Sequence, residues 1–237
     1  MIELRNVGFR TDEGKDILKN INLTIDDRLT AVTGPNGSGK STLVKIIAGI
    51  MPATSGQVLL DGEDITNMTV TERAKKGISF AFQQPVRFKG ITVSDLVSIA
   101  AGHELTKSEV CSYLSEVGLC ANEYIGREIN ASLSGGELKR IEIATALARN
   151  TKVTLFDEPE AGIDLWSFQN LIKVFEKMHR QNNGQIVIIS HQERILSVAN
   201  RIVLLTAGEV KAVGEKKDIF PMLMEQSYSC ACRMEGE

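Results

Sequence analysis

Apolar positions in the N-terminal part of the chain fall in short β-branched runs, Ile2 to Phe9, Ile21 to Ile25, Leu29 to Thr33 and Val58 to Leu60, with turns marked by Gly and Asp between them. Such runs predict strands. From Lys40 the pattern changes period: in STLVKIIAGI, Leu43, Ile46, Ile47 and Ile50 recur at helical spacing, so a helix is predicted to leave the preceding glycine loop directly. After a short strand at Ile78 to Phe82 the chain turns helical and less β-branched through about Asn122, as expected of a subdomain inserted between two sheet strands. VTLFDE, QIVIIS and RIVLLT then read as continuous apolar strands. An amphipathic helix at Leu165 to Arg180 lies among them, with Trp166, Phe168, Leu171, Ile172, Phe175 and Met178 on its core face. Alternation of this kind implies an α/β fold with a buried parallel sheet.

With 237 residues, 43% of them hydrophobic, the chain can bury a sizeable core without covalent staples. A net charge of -3 argues against a nucleic-acid partner, which usually requires a basic face. The short basic groups Arg73/Lys75/Lys76 and Lys216/Lys217 read as solvated faces. Cys111, Cys120, Cys230 and Cys232 are too few and too unevenly spaced for a disulfide framework, and the start MIELRNV carries no signal-peptide pattern, so a cytoplasmic location is expected. The apolar runs are strand-sized, well short of the roughly 18 residues a spanning helix needs.

The chemistry sits at two places. GPNGSGKST, Gly34 to Thr42, fits the phosphate-loop pattern between a strand and a helix. Gly34, Gly37 and Gly39 let backbone N–H groups turn toward an anion, Pro35, Asn36 and Ser38 complete the loop, and the helix start adds partial positive charge. Lys40 is the expected partner of the β- and γ-phosphates, Ser41 of Mg²⁺, and Thr42 closes the motif. VTLFDE supplies carboxylates at a strand end: Asp157 for Mg²⁺ and its waters, and Glu158 as the base that aligns or deprotonates the attacking water, a role worth roughly a hundred- to ten-thousand-fold in rate.

A second glycine-rich opening, LSGGELKRIEIATAL from Leu133 to Leu147, has no use in a single phosphate site. Taken in order, the phosphate loop, Gln83 behind a strand, LSGGE, VTLFDE followed by AGID, and SHQ behind another strand resemble the nucleotide-binding domain of the ABC ATPase superfamily, from Ile2 to about Phe220. The resemblance implies a P-loop fold with a RecA-like parallel sheet core, an N-terminal antiparallel β subdomain, an inserted helical subdomain of about 84–149 and a C-terminal tail of about 221–237. It implies an ATP hydrolase using ATP and Mg²⁺, acting as a head-to-tail ATP-sandwich dimer with itself or a second such domain. Ser134, Gly135, Gly136 and Glu137 of one copy would then close over the γ-phosphate held by the other. By the same resemblance Gln83 senses Mg²⁺ and the attacking water, making Ser41, Gln83 and Asp157 the metal set. His191 contacts the γ-phosphate, and Asp164 links the two halves. One family feature is missing: where many members place a tyrosine that stacks on adenine, this chain reads GFRTD, with Phe9 assigned to strand packing.

Within that superfamily, GGELKRIE, with Glu137, Arg140 and Glu142, is similar to the spelling of SUF-type iron-sulfur cluster assembly ATPases (SufC-like), as are EAGID, SHQERIL and FAFQQPVRFKGI with Pro85. That resemblance implies soluble SUF-type scaffold partners. DEP at Pro159 and ITVSDLV are spellings of transporter subunits and imply the alternative, a nucleotide-binding subunit docked on the cytoplasmic helix of a membrane subunit. On either reading the docking surface is expected near Gln83 to Gly102, and two cysteines in SYSCACRM cannot complete a four-ligand metal site.

Overall fold

A computed structural model describes the backbone of residues 1–84, 86–130, 132–163, 165–181 and 184–231, with side chains except at 165–167, 179–181 and 224–231. Pro85, Asp164 and Cys232, and the side chains of Trp166 and Cys230, lie outside the described residues. The chain begins with β1 (Ile2–Arg10), β2 (Asp16–Ile25), β3 (Leu29–Thr33), α1 (Lys40–Ala48), β4 (Ser55–Leu60), β5 (Glu63–Asp64) and α2 (Val70–Lys75). It continues through β6 (Ile78–Ala81), α3 (Val93–Ala101), α4 (Lys107–Glu116), α5 (Ala121–Tyr124), α6 (Gly135–Arg149) and β7 (Val153–Asp157). The last elements are α7 (Leu165–Gln181), β8 (Gln185–Ile189), α8 (Glu193–Val198), β9 (Arg201–Thr206), β10 (Glu209–Gly214) and α9 (Lys216–Ala231). Helix α9 therefore carries helical structure well into the segment expected as a tail.

Contacts divide the chain into two compact units, Met1–Arg73 with Ile189–Glu237, and Ala74–Ile188. In the first, β2-β1-β4-β5 form an antiparallel sheet, and β10-β9-β3 form a second, with β3 and β9 parallel. Every residue of β3 is buried, as a central strand requires, so LTAVT shows no alternation. Helix α1 buries Leu43, Val44, Ile46 and Ile47 and stops at Gly49, whose φ of 77° is the left-handed cap. Ile50, expected on the helix face, is consequently outside the helix and 36% exposed.

Arg73 departs from the surface role expected of it: it is 2% exposed. Its guanidinium donates to the carbonyls of Ile46 at 2.6 Å and Ile47 at 2.9 Å, the last turn of α1, and to Thr66 and Met68. A fork of five donors suits the orphan carbonyls of a helix end, and its charge suits the negative pole. The helix that leaves the phosphate loop is thus tied down at its far end.

The second unit holds strands in the order β8-β7-β6, with β6 and β7 parallel in register from Ile78 opposite Val153 to Ala81 opposite Phe156. Helix α7 buries Phe168, Leu171, Val174, Phe175 and Met178, and Phe175 meets Phe156 of β7 edge to face at 5.2 Å. Helices α3 and α4 open with complete capping boxes, Thr92 with Asp95 and Thr106 with Glu109. Among the described residues no helix is long and apolar enough to cross a membrane.

Candidate active site

In the first unit the phosphate loop runs straight from β3 into α1, and its glycines are there for measurable reasons. Gly34 has φ 140°, and a Cβ on it would stand 1.9 Å from the Leu205 carbonyl oxygen of β9. Gly39 has φ 98° and lies where a Cβ would meet Leu18 at 2.6 Å. Pro35, Asn36 and Gly37 are exposed at the tip. Lys40 is only 6% exposed, and its ammonium donates to the carbonyls of Gly34 at 2.8 Å and Pro35 at 2.9 Å. The cation is therefore held across the mouth of its own loop. Helix α1 has no side-chain cap and no acidic residue in its first turn, so Ser41 and Thr42 begin a helix whose positive end is uncompensated from within.

His191 belongs to the same unit. The Ser190 amide donates to the Val32 carbonyl of β3 at 3.2 Å, so His191, one residue on and exposed, sits at the edge of β3 from which the phosphate loop departs. Phe9 is half-buried on β1 opposite Leu18, and beside it Arg10 pairs with Asp16 at 2.6 Å.

In the second unit, Asp157 ends β7 at 2% exposure. Glu158 follows at φ 47°. A glutamate in the left-handed region stores about 1 to 3 kcal/mol of backbone strain, which persists where the surroundings fix it and is common at functional positions. The strained turn is anchored by the Ala161 amide on the Glu158 carbonyl at 3.0 Å. The side-chain amide of Gln83, just beyond β6, donates to the Glu158 carboxylate at 2.7 Å. The expected base and the expected sensor are hydrogen-bonded neighbours.

The second glycine-rich opening has its own geometry. Ser134 caps α6: its hydroxyl accepts the Glu137 amide at 3.2 Å, and the Glu137 carboxylate accepts the Ser134 amide at 2.6 Å. The other Glu137 oxygen accepts the Tyr124 hydroxyl, and Arg127 lies at 3.6 Å. These donors, Tyr124 first and the Ser134 amide next, hold the Glu137 carboxyl down at about 2. Glu137, expected among the nucleotide-binding residues, is thus spent on orienting Ser134. Its signal was present as S-x-x-E, a capping box. Gly135 and Gly136 are open, with only the Gly162 carbonyl 3.4 Å from a Cβ on Gly136.

Each side chain expected to meet Mg²⁺ is a hard oxygen donor, the Ser41 hydroxyl in the first unit and the Gln83 amide oxygen and buried Asp157 carboxylate in the second, and Mg²⁺ bound with phosphates needs only one or two protein carboxylates. No cluster of three His, Cys, Asp or Glu side chains suited to a metal occurs among the described residues.

A parallel strand feeding a glycine loop and helix, together with a strand that ends in a buried Asp followed by Glu, defines a P-loop ATPase. The chain belongs to the ABC transporter family, whose profile matches residues 18–161, and it is an ATP-hydrolysing enzyme that binds ATP with Mg²⁺. It is 34% identical over 225 residues to an uncharacterized ABC transporter ATP-binding protein of Methanocaldococcus jannaschii, covering 91% of this chain and 90% of that protein. It is 33% identical to the spermidine/putrescine import ATP-binding protein PotA of Mesoplasma florum, over 93% of this chain and 63% of PotA. Among solved structures it resembles the dimeric ATP-binding cassette MJ0796 bound to ADP and Pi, with a TM-score of 0.79, 26% identity, and coverage of 91% of this chain and 98% of that one.

Proposed function

We propose that this chain is the nucleotide-binding subunit of a membrane transporter, acting on the cytoplasmic face as a head-to-tail pair. The observation that carries the reading is an apolar groove of about 520 Å³ in the second unit, lined by Phe82, Val86, Phe88, Leu96, Ile99 and Ile141 among others. Ile99 is 65% exposed and Val86 47%. Large apolar side chains gathered on a soluble surface mark a docking site, and an amphipathic helix fits a groove of this kind. The relatives' names, which are those of transporter ATP-binding proteins, point the same way.

The iron-sulfur assembly reading rests on the spelling GGELKRIE. The similar proteins named above, and the sulfate/thiosulfate import ATP-binding protein CysA, are named for transport rather than for cluster assembly. Inside the chain, moreover, Glu137 caps α6 and Glu142 accepts the Phe82 amide at 2.8 Å, so both acids have a use without a scaffold protein.

In the proposed cycle, Gly34 to Thr42 of one copy and Ser134 to Gly136 of the other enclose the triphosphate, with Asp164 between the halves. Bound Mg²⁺ supplies charge neutralisation, for which Ser41, Gln83 and Asp157 are the fitting ligands. Lys40 leaves the Gly34 and Pro35 carbonyls for the phosphates, a stronger acceptor. Glu158, steadied by Gln83, takes the proton of the attacking water, and His191 holds the γ-phosphate edge.

Two experiments test the two halves of the proposal. Glu158→Gln should bind ATP and accumulate a closed dimer while turning over roughly a hundred- to ten-thousand-fold more slowly; wild-type turnover would sink the base assignment. Purification with native partners in mild detergent should bring down a polytopic membrane protein, and a soluble scaffold carrying iron and sulfide would replace the transporter reading.

A further inference from the structure

Helix α6 buries two charged side chains that the cycle above leaves unused. Lys139 is 1% exposed, and Glu142, one turn on, approaches its ammonium at 3.0 Å with 16% of its side chain exposed. Their neighbours on the helix, Leu138, Ile141, Ile143 and Ala144, are ordinary core residues. An ion pair in such a place usually contributes no more stability than apolar side chains of the same size. Its polar atoms have a more particular destination.

Strand β6 ends at Ala81, and the peptide groups beyond it lose their ladder partners. Glu142 accepts the Phe82 amide at 2.8 Å, while Lys139 donates to the Phe82 carbonyl and, at 3.5 Å, to that of Gln83. Two side chains of α6 thus replace the missing strand and hold both faces of Phe82. The next residue, Gln83, reaches Glu158. Burial pushes the Glu142 carboxyl up, against the pull of Lys139 and of the Phe82 amide, as expected of an acid kept from water to serve a fixed acceptor role.

We infer that Lys139 and Glu142 are a positioning pair: they clamp the backbone at Phe82 and Gln83 so that the Gln83 amide holds the Glu158 carboxylate in its working orientation, linking the helix that starts at Ser134 to the water-activating group. The inference rests on the proposed role of Glu158. It makes α6 more than a carrier of the glycine-rich opening, because any shift of the helix also moves the chain that steadies the base.

The test is the double variant Lys139→Met/Glu142→Met, which removes both charges at similar volume and leaves neither partner stranded. Its melting temperature should fall by no more than a few degrees, the cost of the hydrogen bonds lost at Phe82, and the KM for ATP should stay near wild type, whereas kcat should fall roughly ten- to a hundred-fold, the scale of a slight misplacement of a catalytic group. On a Gln83→Ala background the same pair should lower kcat less than about two-fold, because the clamp acts through Gln83. Wild-type kcat in the double variant, or its full loss repeated without Gln83, overturns the inference. If the double variant does not fold, Lys139→Arg keeps the charge but exchanges a compact ammonium for a longer planar fork. It should show the same drop in kcat at unchanged KM, and wild-type kcat there is equally fatal. Glu158→Gln, run alongside, separates the failures: rapid turnover in that variant refutes the base assignment, while slow turnover beside a fully active double variant refutes the clamp alone.

Discussion

The two glycine-rich helix starts look alike in sequence and are built on opposite principles. At α1 the residue before the helix is Gly39 in the left-handed region, with no side-chain cap and no acid in the first turn. At α6 it is Ser134 in an extended conformation, closed by a capping box with Glu137. The first start is left with its donors and its positive pole for an anion to satisfy. The second already has a carboxylate on its pole and one amide on a hydroxyl, so its form does not depend on a phosphate. On the proposed cycle, one opening is a binding cradle and the other a finished surface that meets it.

Substitution at the glycines should separate the two most widely. Gly34→Ala places a Cβ 1.9 Å from the Leu205 carbonyl at φ 140° and should cost about 3 kcal/mol or more in chemical denaturation. Gly135→Ala meets nothing within 4 Å. In the first turn of a helix it should leave stability unchanged or raise it by about 0.5 kcal/mol. Equal destabilisation by the two would erase the contrast.

The next effect is on ligand. Lys40→Ala removes a charged donor from the cradle and should weaken ATP binding on the order of a hundred-fold by calorimetry. Ser134→Arg should spare binding yet abolish ATP-dependent dimerisation in sedimentation; undiminished dimerisation would count against a shared site.

A smaller effect is expected from the cap itself. Ser134→Ala should cost about 1 kcal/mol of stability, with hydrogen exchange rising in the first turn of α6. The smallest concerns pH. Glu137 is held at about 2 against an ordinary 4.5, so the folded chain favours its ionised form. Its contribution is complete above the ordinary value and fades as pH falls from about 4.5 toward about 2. Exchange at the Ser134 amide should rise through that window while the first turn of α1, which has no acid, shows no such change.

Much of the site was legible because its chemistry is local. Strand, glycine loop and helix are contiguous, so the loop Gly34 to Thr42 follows from spacing, and VTLF reads as a buried strand because three of its four residues are large and apolar. The helix period gave the core face of α7, with Val174 buried where Ile172 had been expected and Ile172 only half-buried. Charged residues were where the reading failed. Arg73 reads as a solvated position, since charge normally means exposure, and nothing in the spelling GGELKRIE marks Lys139 or Glu142 for burial. Each is buried because backbone groups distant in sequence need partners: Arg73 serves the end of α1, and Lys139 and Glu142 serve the peptide groups after β6. The left-handed Glu158 was equally hidden, because a motif states which residue is present and not the conformation its neighbours impose.

By itself, then, the sequence determined the family, the order of strands and helices and the loop and helix start proposed to hold a triphosphate, since these depend on period, glycine and hydroxyl placement over a few positions. Tertiary structure alone decided that Gln83 lies against Glu158, and that charged side chains of α6 hold the peptide groups beside Gln83. Those arrangements depend on hydrogen-bond partners dozens of residues away, and the need to satisfy buried polar groups is met only when the chain is folded.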